Sequence, residues 1–139
     1  MKRIITLVLA LLLLAALCGC TPAESITFKN DHLCDIHGIY ISPISEEEWT
    51  DSVNYTILKK DATLRISFKK FAADTDAYDV GVLDDTDMFY EFFEVPLAVG
   101  DTLAFSGTGM FGTLTVTSAD GSVETYEGYG NVVVSTSLP

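Results

Sequence analysis

The sequence predicts an all-β fold, an antiparallel β-sandwich of about eight or nine strands. Three observations predict it. Short runs of β-branched and aromatic residues alternate with polar ones, at close and regular intervals. Gly, Asp, Asn and Pro cluster between these runs, where turns need them. Beyond the first 19 residues, no stretch carries the i, i+3, i+4 apolar spacing of a long amphipathic helix.

Taken in order, Ile26-Thr27-Phe28-Lys29 alternates apolar and polar residues. Ile36 to Ser42 is rich in β-branched and aromatic residues, and Pro43 stops it because proline donates nothing to a ladder. Thr63 to Phe68 places Leu64, Ile66 and Phe68 on one face and Thr63, Arg65 and Ser67 on the other. Tyr78, Val80 and Val82 form the next apolar face. Met88 to Val95 is apolar on both faces except at Glu91 and Glu94, the pattern of a central strand. Thr102 to Ser106 continues the series. Thr113 to Thr117 and Ser122 to Tyr126 flank Ala119-Asp120-Gly121, a hairpin turn, and Asn131 to Ser135 closes the set. The one helical signal is Ser45-Glu46-Glu47-Glu48, a capping box that predicts a turn or two of helix near residues 46–51.

The first residues have another character. Met1-Lys2-Arg3 is a short basic end, and Ile4 to Leu17 is apolar except at Thr6. As a helix that stretch spans about 21 Å, short of the roughly 30 Å hydrocarbon core of a bilayer. A basic end followed by a short apolar run describes an export signal. Leu17-Cys18-Gly19-Cys20 resembles the lipobox of bacterial lipoprotein signal peptides. The resemblance implies cleavage before Cys20 and attachment of diacylglycerol to its thiol, with a further fatty chain such as palmitate. Two or more acyl chains make a stable anchor where one is marginal. The expected organisation is a cleaved signal over 1–19, a lipidated tether over 20–25 and a β-sandwich domain over 26–139. The expected location is the cell membrane, facing outside the cytoplasm.

Charge narrows the partners. The full chain carries a net −12, and loss of Lys2 and Arg3 with the signal leaves −14. A field of that sign disfavours nucleic acid and anionic headgroups, and suits cations or basic partners. After acylation of Cys20 and loss of Cys18, Cys34 is the remaining thiol. That excludes an internal disulfide, and no cysteine-based zinc site is expected. A small buried apolar role is expected for Cys34.

Ile26 to Asn30, then Ile36 to Pro43 and an acidic stretch ending at Trp49, resemble a family of small secreted bacterial β-domains of uncharacterised function. Tyr78 to Asp85 and Glu91 to Leu97 match the second half of that pattern. The likeness runs over residues 26–105. Asp31-His32-Leu33 and Thr50 depart from it, both in turns. It implies a small β-domain at the cell surface and carries no catalytic residues.

Several groups are candidates for chemistry. Asp84-Asp85-Thr86-Asp87 places three carboxylates in one turn, a speculative calcium site, since calcium takes six to eight oxygens on flexible loops. Aspartates also favour turns for their own backbone hydrogen bonds, and the glycine and distal glutamate of an EF-hand are missing. Asp74 and Asp76 lie at the other end of the same strand, about 26 Å away. Trp49, beside Glu46, Glu47 and Glu48, is a candidate binding anchor or else a cover for the core. His32 and His37, five residues apart, make a poor metal pair and read as surface polar residues. Gly107-Thr108-Gly109-Met110-Phe111-Gly112 lacks the lysine of a phosphate loop and reads as a flexible connection. The expected function is a membrane-anchored, non-catalytic binding or interaction module of the cell envelope, with another envelope protein as partner. A calcium-dependent surface domain and a small envelope enzyme are the alternatives.

Overall fold

The computed structural model describes residues 24–133. The expected signal segment, Cys20 and the end of the expected last strand at residues 134–135 lie outside the described residues. Within them, eight strands follow one another: β1 Ser25–Asn30, β2 Ile36–Pro43, β3 Thr63–Ser67, β4 Ala77–Asp84, β5 Met88–Pro96, β6 Thr102–Thr108, β7 Phe111–Thr117 and β8 Val123–Val132. No described helix is long and apolar enough to cross a membrane.

The described residues are all-β apart from one 3-10 turn, as expected, but their strands join one sheet in the order β2-β4-β5-β8-β7-β6-β1-β3. The sheet is mixed, because β1 runs parallel to β6 while the other neighbours are antiparallel. Instead of two sheets facing each other, this one curls on itself. Register shifts in β2 between Ile36 and Gly38, and in β4 between Tyr78 and Val80, supply local bends. The segment 53–62 then spans the gap between the ends. Leu58 bridges to Ile36 at the start of β2, while the Asp61 N–H donates to the Asn30 carbonyl at the end of β1. Asn54 fastens this segment to β2. Its side-chain oxygen accepts from the Ile39 N–H at 2.6 Å, and its amide donates to the carbonyls of His37 and Thr56.

The concave side is the core. Ile26 and Phe28, Ile39 and Ile41, Tyr78, Val80 and Val82, Tyr90 and Phe92, Leu103 and Phe105, and Leu114 all point there and are buried. The outer face of β1, β3, β6 and β7 is largely Thr and Ser. Across β6, β7 and β8 three inward positions in register are Gly107, Gly112 and Gly128, and the rings of Tyr90 and Phe92 lie against them. A Cβ on Gly128 would collide with the Glu91 carbonyl oxygen and sit 2.8 Å from Phe92 Cε1. Backbone cannot yield as a flexible side chain does. Gly128→Ala is therefore expected to cost about 1–3 kcal/mol in denaturant unfolding. Thr115→Ala, on the outer face of the neighbouring strand, should stay within about 0.5 kcal/mol.

Four finer expectations are corrected. No helix forms over 46–51; Pro43 ends β2 in a turn closed by the Glu46 N–H on the Pro43 carbonyl. A capping box can start a helix, but no apolar stripe follows to pack one. The chain is pinned instead by Thr50, whose N–H and hydroxyl bond Ser42 Oγ. Among the described residues the one helical piece is a 3-10 turn at Phe68–Lys70, at the end of the expected third strand. The stretch 107–112 is a tight hairpin with Gly109-Met110 at its tip and Gly109 at φ 61°. The runs expected at 122–126 and from 131 are parts of one strand, β8.

Candidate functional site

Three connections meet at one end of the sheet: the β1–β2 loop, the β4–β5 turn and the β6–β7 hairpin. Asn30, fully buried, organises the first. Its side-chain oxygen accepts the His32 N–H at 3.0 Å, and its amide donates to the carbonyls of Cys34 at 2.9 Å and Leu58 at 3.1 Å. These bonds hold the loop inward and carry His32 under the sheet's rim. The imidazole lies against Phe105 at 5.2 Å between centroids and meets Tyr90 edge-on at 5.9 Å.

Asp84 closes β4 with its side chain turned inward. Oδ1 accepts from the Thr86 N–H, the Thr86 hydroxyl and the Met88 N–H, the Asx arrangement that shapes the β4–β5 turn. Oδ2 lies 3.1 Å from His32 Nε2, both residues being buried. Burial pushes the Asp84 carboxyl pKa up, but the bonds from Thr86, Met88 and His32 outweigh it and hold the group below its usual range. His32 Nδ1 is buried without a hydrogen-bond partner among the described residues. Such an atom costs about 1–3 kcal/mol when left unsatisfied.

Cys34 stands beside this pair. Its thiol, the His32 ring and the Asp84 carboxylate each bring one donor atom within 4.8 Å of the other two. Burial pushes the Cys34 pKa up, and the charges of Asp85, Asp84 and Asp35 raise it further. A nucleophilic cysteine needs a depressed pKa instead. The three side chains line an open depression of about 280 Å³, with Tyr90, Gly107 and Met88 in its walls. Tyr90 is fixed by its hydroxyl donating to the Gly109 carbonyl at 2.8 Å.

The residues singled out in the sequence are placed as follows. Asp84, Asp85 and Asp87 do not converge: Asp84 points into the fold with its oxygens engaged, while Asp85 and Asp87 are exposed on the turn. The group around Asp84 is His32 and Cys34. His32 is buried and not a surface residue, whereas His37 is exposed on β2. Cys34 is half-buried at the depression instead of packed in the core. Trp49 lies outside the sheet, edge-on to Phe89 at 5.4 Å and to Tyr40 at 6.4 Å, and covers Gly81. A smaller hollow of about 160 Å³ beside it is lined by Glu46, Glu47, Glu48, Asp79, Glu91 and Phe93. The His32–Asp84 pair could not be found by spacing, because 52 residues separate its members. Tested against family models, curated proteins and solved structures, the chain matches none of them.

Proposed function

We propose that this chain is an exported lipoprotein, held through Cys20 on the outer side of the cytoplasmic membrane, and that its domain works by binding a protein partner. The observation that carries the binding reading is an exposed aromatic pair on the convex face. Phe111 on β7 and Tyr129 on β8 are cross-strand partners with ring centroids 5.5 Å apart, and they are 60% and 66% exposed. Met110 beside them is also exposed. Adjacent exposed apolar side chains mark interaction surfaces, and aromatic anchors carry much of the energy of such contacts. Glu91, the register partner of Tyr129, and Glu127, two residues before it, add negative charge around the anchor. A partner with an apolar pocket and a Lys or Arg rim complements both features. The lipobox at residues 17–20 supports the anchor, and the raised charge of the mature chain supports a basic partner over nucleic acid or anionic lipid.

The test places a photoreactive amino acid at position 129 in cells expressing the full chain. A discrete adduct is expected, absent when the probe sits at Thr63 on β3 and abolished by Phe111→Asp. No adduct at 129, or equal adducts at both positions, overturns the binding face. Labelling with radioactive palmitate tests the anchor separately. Label lost in Cys20→Ala supports lipidation, and label unchanged in that variant removes it.

A further inference from the structure

We propose that His32, Cys34 and Asp84 form a binding site for one divalent transition-metal ion of the zinc class, independent of the aromatic face. The donor set is the first reason. One imidazole nitrogen, one thiol sulfur and one carboxylate oxygen lie within 4.8 Å of one another, drawn from the β1–β2 loop and the end of β4. Imidazole and thiolate together select zinc-class ions over magnesium or calcium, which prefer oxygen alone.

Spacing is the second. Two ligands held about 2.0 Å from a tetrahedral ion are about 3.3 Å apart. His32 Nε2 and Asp84 Oδ2 stand at 3.1 Å, so little movement converts the pair from sharing a proton to sharing an ion. The protein has also fixed these groups in advance. Asn30 holds the loop that carries His32 and Cys34, and the Thr86 and Met88 N–H groups hold the Asp84 carboxylate through its other oxygen. Hydrogen bonds of this kind around ligands orient them and sharpen affinity.

A third observation is independent of the other two. His32 is 5% exposed, and its Nδ1 has no partner among the described residues. The ring turns its Cε1 edge, flanked by both nitrogens, toward Gly107 in the wall of the depression. A buried ring with one nitrogen left over is unfinished as a structural hydrogen-bonding unit, which fits a group kept for a ligand; the ion itself is seated at Nε2, opposite Asp84 Oδ2. Three protein ligands beneath an open depression leave the fourth position to water or to an external donor. That is the plan of an exchangeable site, not of a closed structural one.

The experiment uses the full chain in detergent, stripped with a chelator at neutral pH and titrated first with cobalt and then with zinc. One equivalent of cobalt is expected to produce a thiolate-to-cobalt charge-transfer absorption, which zinc then removes. Cys34→Ser is close in size and lies at a half-buried position, so its fold is retained. It should abolish the absorption and weaken zinc binding roughly tenfold or more. Cys18→Ser and Cys20→Ser should leave both unchanged. Zinc should also raise the melting midpoint of the unaltered chain and not that of Cys34→Ser. Absence of the charge-transfer absorption, its survival in Cys34→Ser, or its loss in the Cys18 or Cys20 variants overturns the proposal. Crosslinking at position 129 reads the aromatic face alone, so failure of one proposal is distinguishable from failure of the other.

Discussion

Asp84→Ala is expected to destabilise the domain by about 3–5 kcal/mol, measured by denaturant unfolding at neutral pH. The substitution removes the acceptor for the Thr86 and Met88 N–H groups and for the Thr86 hydroxyl, and it leaves His32 buried with neither nitrogen paired. Few single atoms in this fold serve so many partners. Asp84→Asn should cost distinctly less, because the amide oxygen can still accept from the turn. The two variants also differ from the unaltered chain in acid. The Asp84 carboxyl is held below its ordinary range in the folded state, where burial is outweighed by its hydrogen bonds. A depressed folded value gives stability that is present above the unfolded pKa, about 3.9, and is lost as pH falls through the folded one. The unaltered chain should therefore weaken below about pH 4 by an amount that Asp84→Asn does not show. A pH series of unfolding curves checks this. Equal acid slopes in the two proteins would mean that the carboxylate is not held ionised by the turn.

Phe105→Ala is expected to cost about 3–5 kcal/mol as well, for a different reason. Phe105 is fully buried on β6 and lies within 5.2 Å of the His32 ring, 5.0 Å of Tyr90 and 6.0 Å of Phe92, between centroids. Its loss leaves a cavity that the rigid backbone at Gly107 and Gly112 cannot close. The cavity would also remove one wall of the His32 pocket, so its effect should not add to that of Asp84→Ala. Residues in one packed cluster show coupling of about 0.5–3 kcal/mol. A double-mutant cycle on Phe105 and Asp84 measures it. A sum within error of the two single changes would show that the aromatic stack and the His32–Asp84 pair stand independently.

Both predictions concern residues that differ sharply in how well the sequence announced them. Phe105 sits in the expected strand at 102–106, an alternating run whose apolar positions turn inward. The strands expected at 26–29, 36–42, 63–68, 78–82 and 88–95 were legible for the same reason, apart from Phe68, since alternation is a local property of the chain. Asp84 was legible as a turn residue, because aspartate bonds its own following N–H groups. Its direction was not. An aspartate in a turn reads as exposed, and only the loop carrying His32, brought across by Asn30, makes an inward carboxylate favourable. The capping box at 45–48 misled because capping lowers the cost of starting a helix without supplying a buried face to keep it. Gly107, Gly112 and Gly128 belong to three strands, and their alignment under aromatic rings is a matter of register, which no single stretch encodes.

By itself the sequence determined the all-β class, most strand positions and the strongly acidic character, all of which depend on composition or on neighbours a few residues apart. Tertiary structure alone decided that the strands make one curled, mixed sheet in place of two. It also decided that Trp49 covers the outer face and that His32, Cys34 and Asp84 meet. Each of these rests on pairings across tens of residues, where the energy comes from burial and hydrogen bonds that exist only once the chain has closed.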